Sequence, residues 1–442
     1  MTMRTRTLIA LFLVAPILAT TGRAQGLPTA APADVGLSAQ RLERLEEVVQ
    51  GYVDANAIGG AVTLIARNGR QAHIETYGMR DARTRMTHDT IFRIASMTKP
   101  VTSVAVMMLY EEGHFKLNDP LALYLPELAS LDVLTPRGDG AEGFDRVPAR
   151  SPVTIRHLLT HTSGITYRFL GDLGASPAQV VASELYREAG ISDGLSEHEG
   201  TIAGLVTALG QLPLMHEPGA AFTYGLSTDV LGRLVEVVSG MSFDEFLRTR
   251  LFEPLRMIDT AFYVPDATAE RLAALYTSSA GGLAEVEGTA AGQHLVYSST
   301  YSTGLHRTNF SGGAGLASTI LDYSRFLQML LNGGELDGVR ILSPVTIDLM
   351  TTDHIGQVPN GSVVAPGGGG FGLGFAISGG PGDDGELGSE GSYSWIGIFS
   401  TMFWVDPKED LFGILMTQVF PSGADFQEKF RIMTYQSIVA RD

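Results

Sequence analysis

The chain has 442 residues, more than one ordinary hydrophobic core needs, so the length predicts one large domain or two interleaved ones. Its formal net charge of −17 disfavours nucleic acid and anionic lipid as partners, because both favour basic surfaces. The sequence contains no cysteine, which excludes disulfides, thiolate chemistry and lipid attachment through a thiol.

The first segment in chain order has the pattern of a signal peptide. Two arginines precede an apolar run from Leu8 to Ala19, which is short for a membrane span but suits a signal-peptide core. Small residues on both sides of Arg23 offer a cleavage site before Gln25. We therefore predict that residues 1–24 are a signal peptide and that the protein is exported, to a bacterial periplasm or beyond. An uncleaved anchor is the alternative, and we expect no other membrane contact.

The next elements are a helix, a hairpin and a buried helix. Residues Ala39 to Val53 have helical apolar spacing. Two alternating apolar stretches flank Asn68-Gly69, which is a strong hairpin signal. The stretch from Thr98 to Glu112 is apolar enough to be a largely buried helix.

The middle and the end of the chain differ in pattern. From Pro152 to Leu331 the pattern is mostly helical, with long loops. Beyond Pro344 we predict strands in "FGLGFAISG" and on both sides of a turn at residues 406–410. A final helix is predicted from Asp425 to Val439.

This order of elements predicts an α/β (α+β) sandwich. One antiparallel sheet, flanked by the N- and C-terminal helices and interrupted by a large, mostly helical inserted domain, accounts for it. We assign residues 25–98 and 345–442 to the α/β domain and residues 99–344 to the inserted domain. Sites often form where domains meet, and Ser96 lies at this seam.

Ser96 and Lys99 lie three residues apart, so on a helix their side chains share a face. At the start of a helix, free backbone N–H groups at Ser96 can hold a developing oxyanion. Burial disfavours the ammonium form of Lys99 and lowers its pKa, so that it can accept the serine proton. The alternative makes Ser96 an N-cap and Lys99 an exposed helix residue. The chain has only four lysines, and apolar residues flank this one, which favours a functional pair.

Five segments resemble successive signatures of the serine β-lactamase and penicillin-binding-protein superfamily, in the class C-like branch that includes the family VIII carboxylesterases. They are "FRIASMTKPVTSVAVMMLYEEG", "LNDPLALYLPEL", "VTIRHLLTHTSGI", "PGAAFTYGLSTDVLGRLVEVVSG" and "GGAGLASTILDYSRFLQMLLNGG". They occur in the expected order over nearly the whole chain. The resemblance is therefore much more specific than the serine–lysine spacing alone.

The second motif of that family is Tyr-x-Asn, and its match here is Tyr224-Gly225-Leu226. The resemblance implies a catalytic unit of Ser96, Lys99 and Tyr224, in which Lys99 stabilises the phenolate if Tyr224 acts as a base. A packed loop aromatic that is hydrogen-bonded to the backbone is the alternative for Tyr224. Leu226 replaces the asparagine and is predicted to contact the substrate.

The third motif of the family is Lys-Thr-Gly on a strand, and the corresponding strand here contains Trp395-Ile396-Gly397-Ile398. Trp395 offers an apolar wall and an indole N–H to the substrate, and Gly397 lets the substrate approach the backbone. The resemblance implies that the N–H groups of Ser96 and Ile398 form the oxyanion hole. A strand aromatic that faces the core is the alternative for Trp395. Loss of the asparagine and of the lysine favours uncharged acyl esters.

Other motifs are weaker. His157 and His161 stand four apart in a predicted helix, a spacing that can hold zinc, but a third ligand is not evident. We therefore predict no metal and no organic cofactor.

The sequence thus predicts an exported serine carboxylesterase that hydrolyses short- to medium-chain acyl esters through a covalent acyl-enzyme, with weak β-lactam hydrolysis. A class C-like β-lactamase or D-amino-acid peptidase is the second hypothesis. A non-catalytic penicillin-binding module is the third. The sequence names a small-molecule ester as the partner and leaves the oligomeric state open.

Overall fold

The computed structural model describes residues 26–138, 143–173, 176–279, 282–291, 294–360, 369–385 and 387–441. The predicted signal peptide lies outside these ranges. Within them, no helix has both the length and the apolar character that crossing a membrane would require.

The helices are distributed along the whole described chain. They are α1 (Ala39–Asp54), α2 (Thr98–Glu111), α3 (Ile155–Leu159), α4 (Pro177–Glu188), α5 (Ile202–Leu209), α6 (Ser227–Ser239), α7 (Phe243–Leu247), α8 (Glu253–Leu255), α9 (Ile320–Leu331), α10 (Pro344–Met350), α11 (Pro381–Asp384) and α12 (Phe426–Ser437). A Ser or Thr side chain at the N-cap accepts a hydrogen bond from the first turn of α1, α3, α4, α5, α9 and α10. Short 3₁₀ turns, among them Ala95–Met97 and Arg168–Leu173, connect other elements.

The strands are concentrated at the two ends of the chain, with short pairs between them. They are β1 (Gly60–Arg67), β2 (Arg70–Gly78), β3 (Ile91–Arg93), β4 (Asp132–Pro136), β5 (Phe144–Pro148), β6 (Tyr276–Ser279), β7 (Gly282–Glu285), β8 (Thr289–Ala291), β9 (Val296–Ser298), β10 (Ala317–Thr319), β11 (Glu335–Leu336), β12 (Val339–Arg340), β13 (Ala376–Ile377), β14 (Tyr393–Ile396), β15 (Met402–Asp406) and β16 (Leu411–Met416).

One six-stranded antiparallel sheet is built from both ends of the chain, in the order β13-β14-β15-β16-β1-β2. The predicted hairpin joins β1 to β2, and Asn68 and Gly69 have φ values of 54° and 69° there, as a type I′ turn requires. In register, Val62 of β1 pairs with Met416 of β16, which brings the first and last strands of the chain together. The predicted fold class is confirmed.

Helices cover both faces of this sheet. On one face, α1 and α12 enclose a core that includes Leu45, Trp404 and Phe430. On the other face, α9 packs on the sheet in a second core that includes Phe326 and Ile414 and extends into the inserted helices. Burial of both faces explains why β1 and β16 are buried along their whole length and mostly apolar, instead of alternating.

Three details differ from the sequence prediction. The stretch before the turn at residues 406–410 is two strands, β14 and β15, because the chain reverses where the N–H of Gly397 bonds to the carbonyl of Thr401, at 2.8 Å. The segment "FGLGFAISG" contributes only the two-residue strand β13 to the sheet. The inserted region also contains short strand pairs, such as β4-β5 and β8-β9, where we expected helices and loops.

Candidate active site

Ser96 lies in the 3₁₀ turn Ala95–Met97, directly before α2. Ala95 has a φ of 43°, a left-handed conformation that costs energy for a residue with a Cβ and often occurs at functional sites. The turn is held because the N–H of Ile94 bonds to the carbonyl of Leu316, at 3.0 Å, and the N–H of Leu316 to Thr98 Oγ1, at 3.1 Å. Ser96 is half-buried at the surface of this rigid support.

Lys99 is buried one turn later on α2, with 1% of its surface exposed. Its Nζ lies 3.2 Å from Ser96 Oγ, 2.8 Å from Tyr167 Oη and 2.8 Å from the carbonyl oxygen of Gly313. The alternative of an exposed lysine beside an N-capping serine is therefore wrong, and Ser96 makes no capping hydrogen bond.

The three partners of Lys99 restrict where its protons are. The Gly313 carbonyl only accepts, so it takes one N–H whatever the charge of the amine. Both hydroxyls can donate or accept, so an uncharged amine can use its lone pair to accept from Ser96 while it donates to Tyr167. The same geometry thus accommodates the ammonium, which donates three hydrogen bonds, and the free amine as a base for Ser96.

Burial lowers the pKa of Lys99 to about 7, and the nearby carboxylate of Asp229 acts in the opposite direction. Asp229 is itself buried, which raises the pKa of its carboxyl, although the Ser311 hydroxyl that donates to Asp229 Oδ1 at 2.5 Å lowers it, as does Lys99. Burial therefore favours the uncharged amine that a general base requires.

Tyr224 lies in the loop before α6 and is buried beside the serine–lysine pair. Its ring centroid is 4.6 Å from Lys99 Nζ, and its hydroxyl is near that of Ser96. Burial raises the pKa of Tyr224 above its usual range, although the side chains of Ser96 and Trp395 lower it in part. Tyr224 therefore carries its proton at neutral pH. The structure brings Ser96, Lys99 and Tyr224 together.

Sequence reasoning missed three neighbours of Lys99, namely Tyr167, Asp229 and Gly313. With Lys99 and Ser311 they form a buried set that we call the Lys99 cluster. A Cβ at Gly313 would lie 2.4 Å from Asp229 Oδ2 and 2.6 Å from Tyr167 Oη, so only glycine lets these groups meet. The one usable signal was Asp229, an acidic residue five positions after Tyr224 and directly before the apolar pair Val230-Leu231.

A cavity of about 200 Å³ lies on the other side of the nucleophile, and we call it the Ser96 cavity. It is mainly apolar and is lined by Ser96, Phe169, Leu173, Tyr224, Leu295, Trp395, Ile396, Ile398 and Phe420. None of these lining residues is charged. Trp395 is buried against Tyr224, with ring centroids 5.4 Å apart, so the predicted apolar wall is present.

Two predicted substrate contacts are wrong. Leu226 is fully buried at the N-cap of α6 and packs in the core, because the chain turns inward two residues after Tyr224. Gly397 does not line the Ser96 cavity, since a Cβ there would lie 2.2 Å from Thr401 and 2.5 Å from the Ile94 carbonyl. Because Gly397 has no side chain, the end of β14 can contact Ile94, which lies in the segment that leads to Ser96.

The predicted oxyanion donors, Ser96 and Ile398, both line the Ser96 cavity, Ser96 in its 3₁₀ turn and Ile398 in the turn after β14. The close approach of Gly397 to Ile94 joins these two turns. The assignment of their N–H groups as oxyanion donors stays a prediction.

The two histidines that were weighed as a zinc pair have other surroundings. His157 Nδ1 accepts from the Thr154 N–H at 3.2 Å, within the capping box of α3. His161 lies past the end of α3 with a φ of 52°, and its ring lies 5.0 Å from that of Tyr224. In the part of the chain that the structure describes, no three His, Cys, Asp or Glu side chains are grouped as metal ligands.

Comparisons with known proteins agree with the fold. The Beta-lactamase family model matches residues 45–436. Protein Rv1367c of Mycobacterium tuberculosis is 35% identical over 383 residues, which cover 84% of this chain and 89% of that protein. Esterase EstB of Burkholderia gladioli is 30% identical over 410 residues, 90% of this chain and 94% of EstB. The solved structure of EstCE1, "a hydrolase with promiscuous acyltransferase activity", is 26% identical with a TM-score of 0.74 and covers 89% of this chain and 98% of its own. The chain therefore belongs to the Beta-lactamase family, as a serine hydrolase whose relatives include esterases.

Proposed function

We propose that the protein is a carboxylesterase that cleaves short- to medium-chain, uncharged acyl esters through a covalent acyl-enzyme on Ser96. The observation that carries this proposal is the Ser96 cavity, which is mainly apolar and has no charged side chain among its described lining residues. The relative named Esterase EstB supports the reaction class.

The size and lining of the Ser96 cavity favour this substrate class. Its volume of about 200 Å³ is below the roughly 300–1,000 Å³ of sites for drug-sized ligands, so it suits a small acyl group. Trp395 stands where lactamases and transpeptidases have a lysine that helps to hold a substrate carboxylate. A substrate carboxylate that entered the cavity would therefore lose its hydration shell without forming an ion pair with a cationic side chain, and this desolvation is costly.

The first half of the reaction forms the acyl-enzyme. Ser96 Oγ attacks the ester carbonyl carbon while the uncharged amine of Lys99 accepts the serine proton. The N–H groups of Ser96 and Ile398 stabilise the tetrahedral oxyanion. When the carbon–oxygen bond to the alcohol breaks, the phenol of Tyr224 protonates the leaving oxygen and is reprotonated by the Lys99 ammonium.

The second half releases the acid by the same route. A water molecule attacks the acyl carbonyl and gives a proton to Lys99, and Ser96 Oγ leaves with a proton delivered through Tyr224. Tyr224 is assigned as the proton donor because burial raises its phenol pKa, so the phenol keeps its proton at neutral pH. Burial lowers the amine pKa of Lys99, so the amine is the group whose lone pair is available to accept a proton.

Substitution of the nucleophile tests the mechanism. Ser96→Ala is expected to lower the kcat for p-nitrophenyl butyrate by at least about 10⁴-fold, as removal of an attacking hydroxyl does elsewhere. Ser103→Ala is the matched control, since Ser103 lies on the same helix and its buried hydroxyl has no hydrogen-bond partner within the described residues. Butyrate hydrolysis that survives Ser96→Ala would refute the proposal.

Relative rates and adduct lifetime separate the three hypotheses. An esterase should have a much higher kcat/KM on p-nitrophenyl butyrate than on a cephalosporin, with the acyl adduct on Ser96 clearing within seconds. A higher kcat/KM on the cephalosporin would favour the β-lactamase or peptidase hypothesis. An adduct that persists for hours would favour a binding module.

We also propose that the protein is exported. The support is the apolar run after two arginines and the small residues around Arg23. Mass spectrometry of the protein from a periplasmic fraction is expected to give Gln25 as the first residue. An intact N-terminus in that fraction would indicate an uncleaved anchor instead.

A further inference from the structure

The outer wall of the Ser96 cavity is formed by two leucines from distant segments. Leu173 ends the 3₁₀ segment Arg168–Leu173, and Leu295 precedes β9. Leu173 is 48% exposed, so it lies at the mouth of the cavity and not in the core. Both side chains line the cavity, so their position affects the room available to a substrate on this side.

The residues that precede the two leucines are joined by a dense set of hydrogen bonds. Asp172 Oδ2 accepts from the N–H groups of His294 and Leu295, each at 2.7 Å. Asp172 Oδ1 lies 2.6 Å from His294 Nδ1. Burial alone would raise the pKa of Asp172, but these two N–H groups and the imidazole outweigh it and lower that pKa below its ordinary value. The carboxylate is therefore the form that holds the two segments together.

His294 also connects this pair to helix α4. Its imidazole is buried, with Nε2 3.5 Å from Glu184 Oε2 on α4. A Cβ at Gly171 would lie 2.7 Å from Ser183 on the same helix, so the segment before Leu173 rests directly on α4. Both leucines are consequently fixed relative to one helix.

The other end of the segment is anchored near the Lys99 cluster. The N–H of Arg168 bonds to Asp193 Oδ1 at 2.9 Å, and the ring of Phe169 stacks on that of Tyr167, with centroids 4.9 Å apart. The segment is thus fastened at both ends, with Asp172 holding the end that borders the cavity mouth. Loss of Asp172 should loosen Leu173 and leave Tyr167 in place.

We propose that Asp172 and His294 form a clasp that fixes Leu173 and Leu295 as the outer wall of the Ser96 cavity and thereby limits the acyl chain length that the enzyme accepts. This inference rests on the proposed esterase function, since it specifies the substrate of the same site. Asp172 is a positioning residue that acts through the leucines and does not touch the substrate.

Chain-length profiles of Asp172→Ala and of the intact protein test the clasp. Each methylene that becomes buried when the wall yields should improve binding by about fourfold. The kcat/KM ratio of p-nitrophenyl octanoate to butyrate is therefore expected to rise at least about tenfold, mainly through a lower KM for octanoate. Asp172→Asn, which keeps an oxygen for the two N–H groups, should rescue most of the original ratio.

The control is Asp266→Ala, which removes an exposed carboxylate that pairs with Arg307 outside the Ser96 cavity and should leave the ratio unchanged. A folded Asp172→Ala variant whose ratio is unchanged or lower would overturn the clasp. If that variant does not fold, Leu173→Ala and Leu295→Ala test the wall itself, and an unchanged ratio in both overturns it. Failure of the proposed function is a separate result, namely butyrate hydrolysis that survives Ser96→Ala.

Discussion

Ser96 has the Lys99 cluster on one side and the Ser96 cavity on the other, and the two are built differently. The cluster is a set of buried polar groups from segments far apart in the chain, held at fixed hydrogen-bonding distances. The cavity is lined mainly by apolar side chains, some of them half-exposed. We infer that changes in the cluster alter the rate of chemistry, whereas changes in the cavity alter which ester is accepted.

The largest effect after loss of the nucleophile is expected for Lys99→Met, which keeps the length of the side chain and removes the base. The kcat for p-nitrophenyl acetate should fall by about 10³–10⁴-fold, near the upper end of what general acid–base catalysis contributes. Lys429→Met is the control, because Lys429 is exposed and pairs with nearby Asp425 and the ring of Tyr52. A fall of less than about tenfold would show that another group takes the serine proton.

The pH dependence of the intact protein follows from the same amine. Because Lys99 must be uncharged to accept a proton and its pKa is lowered to about 7, kcat/KM should rise as pH increases through about 7 and level off above it. A pH profile of p-nitrophenyl butyrate hydrolysis measures this limb. A kcat/KM that stays flat or falls between about pH 6 and 8 would contradict the requirement that this site lose a proton.

The two tyrosines next to Lys99 are expected to differ in effect. Tyr224→Phe removes the proposed proton donor and should lower kcat by about 10²–10³-fold with little change in KM. Tyr167→Phe removes one hydrogen bond to Lys99 and should cost about tenfold, near the upper end of what a single uncharged hydrogen bond contributes. Tyr393→Phe is the control, since the Tyr393 hydroxyl is buried without a hydrogen-bond partner in the described chain. Equal losses in both test variants would contradict the assignment of Tyr224 as donor.

Sequence patterns predicted contacts between residues that are close in the chain better than contacts between residues that are far apart in it. The Ser96–Lys99 spacing and the Asn68-Gly69 turn depend on neighbouring residues, and both have the expected geometry. Tyr167 and Gly313 lie 68 and 214 residues from Lys99, so no local periodicity could place them beside it. Tyr224 was found only through the resemblance to a family.

The errors have a common physical origin. Leu226 and Gly397 were assigned from motif positions, but whether such a residue faces a substrate depends on how the backbone turns after it. The chain turns inward at Leu226, which fills the core, and Gly397 packs against Ile94. The β14–β15 hairpin was missed because both strands are apolar and run together in the sequence without an Asn-Gly signal.

A smaller effect is expected for Asp229→Asn, which removes a charge and keeps an oxygen that can accept from Ser311. The Asp229 carboxylate raises the pKa of Lys99, so its removal should lower that pKa further and shift the rising limb of the kcat/KM profile by roughly one unit towards acidic pH. Asp322→Asn is the control, because the Asp322 carboxyl is also buried and accepts a hydrogen bond from Thr260 in a different part of the fold. It should leave the rising limb of the kcat/KM profile in place. A limb that does not move in Asp229→Asn would show that Asp229 does not act on the charge of Lys99.

The smallest effect is expected for Ile396→Lys, which adds a cation to the lining of the Ser96 cavity at an exposed position. Ile396 lines the Ser96 cavity and is 54% exposed, so the new ammonium of Ile396→Lys can remain in water. Two unit charges about 4 Å apart in water interact by about 1 kcal/mol, so kcat/KM for p-nitrophenyl hemisuccinate should rise by about fivefold relative to butyrate. Because the gain is between exposed charges, it should largely disappear in about 1 M salt. Leu305→Lys, at a leucine that is 93% exposed and does not line the cavity, should give no such gain. An equal gain in both variants would mean that overall surface charge, and not the uncharged cavity lining, controls the preference for neutral esters.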